Sequence, residues 1–179
     1  MVFDTTAAAP SVGRTQMLPM SALAAGVFTM IAVITAQPAQ AEYYCNSAIN
    51  GRYQAVSDGQ WAKTRYVYHD EATVSSVWTI DSVCHDVMSC TGRIVSDQGW
   101  VNPIVCNSGL WAVIRTIPDW QPCSDGTTTP GDQRISFYTD ATDRSKYVGW
   151  DKTIGPSGGC GLNLPLTIEM PFRLTPLSG

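Results

Sequence analysis

Toward the C-terminus, apolar Leu164, Leu166, Ile168, Met170, Phe172 and Leu174 alternate with Pro165, Thr167, Glu169, Pro171, Arg173 and Thr175. Side chains on a strand point alternately to opposite faces, so this segment reads as a half-buried strand. Proline cannot donate to a ladder, so Pro171 puts the strand at an edge or beside a break in pairing. Val74, Trp78 and Ile80 mark a second strand, and Ile135, Phe137 and Thr139 a third. Leu110 to Ile114 is short and continuously apolar, as in a strand buried on both faces. Shorter strands are expected over Arg52–Val56, Tyr66–Tyr68, Gly92–Ser96 and Tyr147–Trp150. Ser57-Asp58-Gly59, Asp97-Gln98-Gly99, Ser124-Asp125-Gly126 and Pro130-Gly131-Asp132 supply turn chemistry between them. Gly51-Arg52-Tyr53 leading to Trp61, and Gly92-Arg93-Ile94 leading to Trp100, read as two similar hairpins. The pattern predicts an all-β fold, a small antiparallel sandwich or a meander barrel.

The first 41 residues follow a different pattern. An apolar stretch from Met17 to Thr35 ends in Ala39-Gln40-Ala41, with Arg14 ahead of it. Small residues at 39 and 41 fit a signal-peptidase site, so residues 1–41 read as a signal helix cleaved before Glu42. The alternative is a retained N-terminal anchor, since the run half-fits a membrane span. Residues 42–179 then form one secreted β-domain of roughly 140 residues, enough for a core. No second apolar run approaches membrane length. The formal net charge is −4 with neither sign clustered along the chain, whereas nucleic-acid binding calls for a basic stripe.

All six cysteines follow the signal, and an even count in an exported chain reads as a disulfide framework. Fifteen pairings are open in principle. Cys84 and Cys90 are close enough to close a short loop. We expect Cys123 to pair with Cys160, tying the Trp120–Gly126 turn to the loop before the proline-bearing last strand, and Cys45 with Cys106. Cys-x5-Cys lacks zinc-knuckle spacing, so neither a metal site nor a cofactor is expected.

Candidate catalytic residues fail on context. Gly155-Pro156-Ser157-Gly158-Gly159 matches G-x-S-x-G, but the nucleophile elbow needs a following helix and a downstream histidine, and no histidine lies beyond His85. Ser157 is therefore expected in a glycine-rich turn. His69-Asp70-Glu71 would point to opposite faces of a strand and reads as a solvated loop. His85-Asp86 falls inside the Cys84–Cys90 loop. No catalytic residue is assigned. Of six tryptophans, Trp78 and Trp111 sit within strands and are expected in the core. Trp61, Trp100, Trp120 and Trp150 lie beside turns or charged residues, where a large aromatic is either a core plug or a binding surface.

Tyr44-Cys45, Gly51-x-Tyr53, Trp78-x5-Cys84, Cys90, Gly109-x-Trp111, Trp120-x2-Cys123-x-Asp125-Gly126, Cys160-Gly161 and Pro171-Phe172-x-Leu174 occur in this order. The arrangement resembles a group of small exported proteins of mycobacteria, related to the outside portions of some mycobacterial Ser/Thr kinases. The resemblance spans most of the chain after the signal and implies a secreted or cell-envelope location without a reaction. Gly51-x-Tyr53 is also similar to the Gly-x-Trp of lipocalin-like barrels, with tyrosine in place of tryptophan. Three functions follow as expectations. The first is a non-catalytic binding or interaction module whose partner is an envelope protein. The second is a carrier of a small apolar ligand, and the third is a small secreted hydrolase.

Overall fold

The computed structural model describes residues 44–45 and 47–178; the signal-like segment 1–41 lies outside them. Ten strands follow in order: β1 Gly51–Ser57, β2 Lys63–Thr64, β3 Val67–Tyr68, β4 Val74–Cys84, β5 Ser89–Ser96, β6 Val101–Asn107, β7 Leu110–Pro122, β8 Thr128–Thr139, β9 Tyr147–Ile154 and β10 Thr167–Pro176. Two 3-10 turns, Gly59–Trp61 and Gly159–Gly161, interrupt them.

Of the two architectures expected, the chain adopts the barrel. Strands β4 to β10 form an antiparallel meander, and β1 pairs with both β4 and β10, closing eight strands on themselves. Closure removes the exposed edges that an open sheet must protect. β2 and β3 form a small flap, attached where Lys63 and Thr64 pair with Glu169 and Ile168 of β10.

Pro171 marks the seam. On one side of β10, the β1 ladder ends at Phe172 opposite Ser57, and the β2 ladder begins at Glu169. Pro171 lies between them, with its carbonyl accepting from Asp58 N–H at 2.8 Å. The strand is thus a closed-barrel strand with a break in pairing where its N–H is missing.

Alternation fills the barrel. Trp78, Ile80, Ile94, Ile104, Val113, Phe137, Phe172 and Leu174 are nearly inaccessible. Trp78 stacks on Phe172 at 5.3 Å, and Phe172 meets Phe137 at 5.4 Å. Burying each such ring contributes about 2–3 kcal/mol. Gly149, opposite both Phe137 and Phe172 in register, has no side chain where these rings converge.

One end of the barrel is capped by the segment preceding β1. Ile49 is buried there; its N–H donates to Ser82 Oγ, which donates back to its carbonyl, both at 2.8 Å. The cysteines lie in three pairs: Cys45 with Cys106 and Cys84 with Cys90 at the capped end, and Cys123, which opens the β7–β8 turn, with Cys160 of the second 3-10 turn.

Three local expectations need correction. β10 begins at Thr167, and Leu164 is exposed in the preceding loop, because Pro165 and the glycine-rich stretch keep that loop off the sheet. Leu110–Ile114 is not buried on both faces: Trp111 and Val113 enter the barrel while Ile114 faces out, since a single closed layer has only one interior. The first of the two similar hairpins is not a hairpin, because β1 runs into a 3-10 turn and pairs elsewhere.

Candidate functional site

The end opposite the cap opens as a recess of about 270 Å3, counted to its open rim. Ser57, Ser76, Trp100, Arg115, Gln133 and Asp151 are among its lining residues. Alternation carries polar residues inward here, each extending an apolar row: Val113 to Arg115 on β7, Ile135 to Gln133 on β8, Ala55 to Ser57 on β1.

Asp151 is 2% exposed. Its carboxylate accepts from Ser57 Oγ at 2.6 Å and from Gln133 Nε2 at 2.9 and 3.0 Å. Gln133 Oε1 in turn accepts from Arg115 Nε at 2.6 Å. Burial raises the Asp151 pKa, against the Ser57 and Gln133 hydrogen bonds and the Arg115 charge, which favour ionisation. Burial likewise lowers the Arg115 pKa, with the Asp151 charge opposing it. The Arg115 guanidinium lies 4.4 Å from the Trp100 ring centre, and Trp100 meets Trp78 edge-on at 5.4 Å. Trp100 Nε1 is buried without a partner among the described residues. Ser57 and Gln133 both donate to Asp151, so the cluster holds a buried carboxyl group within a chain of hydrogen bonds. The enclosed space within the recess is only about 20 Å3, far below the roughly 300–1,000 Å3 usual for ligand pockets.

The four turn-side tryptophans separate. Trp100 closes the recess. Trp120 lies against the inner face: a Cβ on Gly131 would stand 2.6 Å from its ring. Trp61 and Trp150 are instead on the outer surface, 62% and 46% exposed. Trp150 faces out because its neighbour Asp151 faces in. Around it stands the β2–β3 flap, whose turn holds Arg65 and Tyr66 at φ of 50° and 68°. Left-handed backbone at two consecutive non-glycine residues costs energy and, in a hairpin, matches the twist of the strands. It presents Tyr66, Val67 and Tyr68 at 74%, 69% and 70% exposure. Lys63 Nζ lies 5.1 Å from the Tyr68 ring and 5.9 Å from Trp150, and Lys152 Nζ lies 5.4 Å from Tyr66. Three consecutive exposed large side chains are visible in the sequence only as a weak strand; β3 ends the sheet order, and no described strand pairs with its outer edge.

The remaining candidates are dispersed. Ser157 Oγ donates to Asn163 O at 3.2 Å, not to a histidine. His69 Nδ1 meets Glu71 at 3.0 Å at the base of the flap, while His85 Nε2 contacts Thr91 Oγ1 at 2.8 Å at the capped end. Among the described residues no three His, Cys, Asp or Glu side chains converge as a metal site. No described helix is long and apolar enough to cross a membrane.

No family model matches the chain, and no curated protein matches it in sequence. In structure it is similar to the monomer form of the PknI sensor domain of M. tuberculosis. The TM-score is 0.55 at 12% identity, covering 74% of this chain and 89% of that one. The two share a fold.

Proposed function

We propose that this chain is a secreted or cell-envelope, non-catalytic binding module that meets its partner through the aromatic face of the β2–β3 flap and β9. The observation that carries the reading is the face itself: Trp61, Tyr66, Tyr68 and Trp150 are outward and uncovered, while the recess is small and its polar groups are tied to one another. Aromatic residues held outside a core are the usual anchors of recognition. The disulfides support an exported location. The fold shared with a sensor domain and the resemblance to exported mycobacterial proteins are both consistent with binding rather than catalysis. A carrier of an apolar ligand is less well supported, because Trp78, Phe137 and Phe172 occupy the barrel axis. A hydrolase would need a nucleophile beside a base, and Ser157 is bonded to a backbone carbonyl.

The test is co-sedimentation with an envelope fraction from the native host. We expect the Tyr66→Ser/Tyr68→Ser/Trp150→Ser variant to bind at least tenfold more weakly than the unaltered protein, as removing anchor residues does. Equal binding by a variant that keeps its melting temperature would refute the reading.

A further inference from the structure

Cross-strand register assembles charges that are far apart in the chain. On the outer face, Arg134 of β8 is opposite Lys152 of β9, which is opposite Glu169 of β10, which is opposite Lys63 of β2. Tyr68 of β3 completes the row. With Arg65 in the flap turn, four of the chain's eleven Lys and Arg residues lie on or beside one row, in a protein whose net charge is −4. One carboxylate, Glu169, lies within the row, 3.9 Å from Lys152. A second carboxylate, Glu71, folds back against the flap, where it accepts from Thr64 Oγ1 and meets His69 Nδ1, so two carboxylates stand among the four cations. The cations are not sunk in a pocket. Lys63 and Lys152 rest on ring faces, so charge and aromatic surface are presented together.

We propose that this face seats the protein on an anionic lipid bilayer, with the flap residues Tyr66, Val67 and Tyr68 and the ring of Trp150 at headgroup depth. This rests on the binding reading above and names the partner of that same face. The chemistry of the exposed groups favours lipid over protein. Tyr and Trp settle at the membrane–water interface because each has an apolar body and a polar tip, and Lys reaches headgroup phosphates from a stem laid along apolar surface. Exposure agrees: Tyr66, Val67 and Tyr68 of the flap are each about 70% exposed, and a fluid headgroup layer can accommodate them without a complementary groove. Charge supplies the rest, since a Lys or Arg near an anionic bilayer contributes about fivefold in binding. The overall charge opposes such binding, so attachment requires the local row.

The experiment is co-sedimentation of the mature protein with vesicles of phosphatidylglycerol and phosphatidylcholine in equal parts, and with phosphatidylcholine alone. We expect binding to the first, little to the second, and release as salt rises. Lys63→Gln/Lys152→Gln should weaken it roughly thirtyfold. Arg52→Gln/Arg93→Gln, with the same charge change on other strands, should leave it within about twofold. Tyr66→Ser/Tyr68→Ser should lower binding at high salt, where the aromatic contribution remains. Equal losses for the two charge pairs, or no binding to anionic vesicles by a protein that still sediments with the host envelope, would overturn the lipid assignment. The second outcome leaves the face as a protein-binding one. If envelope binding were also indifferent to the aromatic substitutions, the functional reading would fall as well.

Discussion

Replacing Cys123 and Cys160 together by alanine isolates the contribution of one covalent tether. Both residues are only partly buried, so little packing is lost with the sulfurs. The bridge links the end of β7 to the loop before β10 across a sequence separation of 37. The chain-entropy model then assigns it about 3.8 kcal/mol, against about 2.2 kcal/mol for the Cys84–Cys90 bridge with its separation of 6. At about 4 °C per kcal/mol for a domain of this size, the melting temperature should fall by about 15 °C. Cys84→Ala/Cys90→Ala is the instructive comparison. Cys90 is 1% exposed, so that variant also loses core packing, and its cost exceeds the entropy figure. The assay is urea unfolding followed by tryptophan fluorescence, with peptide mapping without reduction on the parent protein. The Cys123/Cys160 variant should keep native fluorescence and a native amide spectrum, because the loss acts on the unfolded chain. A loss below about 1 kcal/mol, or free thiols at 123 and 160 in the parent, would refute the reasoning.

Three further expectations concern the interior and the loops. The folded-state pKa of Asp151 is raised by burial, so the folded protein holds a proton that the unfolded chain releases near pH 4, and stability falls as pH rises from there through the folded pKa. Asp151→Asn should flatten that fall in urea unfolding at pH 4 and pH 7; an unchanged slope would assign it to other groups. Gly149→Ala should cost about 3 kcal/mol or more, because the added Cβ would stand 2.0 Å from Ser136 O and 2.6 Å from Phe137 Cα. A neutral result in thermal unfolding would mean that β9 shifts freely against β8. Ser157 should resist a fluorophosphonate probe, and stoichiometric labelling there would promote the hydrolase reading.

What could be read from the chain depends on how locally each feature is encoded. Alternation along Met170–Leu174 is a property of one strand, so its inward face was legible, as were Trp78 and Trp111 as core. Pro171 announced a break in pairing by its missing N–H. Whether β10 lay at an edge or in a closed barrel depended on β1, more than a hundred residues earlier. The outer row of Arg134, Lys152, Glu169 and Lys63 was illegible for the same reason: register between strands creates it, and a charge scan along the chain does not. Trp61 and Trp100 follow similar local sequences, yet one is exposed and the other closes the recess. Their fates differ because β1 continues into a 3-10 turn, whereas β5 turns directly back into β6.

Oxidative footprinting of tyrosine and tryptophan, with and without the host envelope fraction, tests the central claim most directly. The account expects protection at Trp61, Tyr66, Tyr68 and Trp150, and unchanged oxidation at Tyr138, which is exposed on β8, and at Trp100 in the recess. Protection centred on Trp100, with the flap tyrosines oxidised as in the free protein, would contradict it and move the binding site to the barrel mouth.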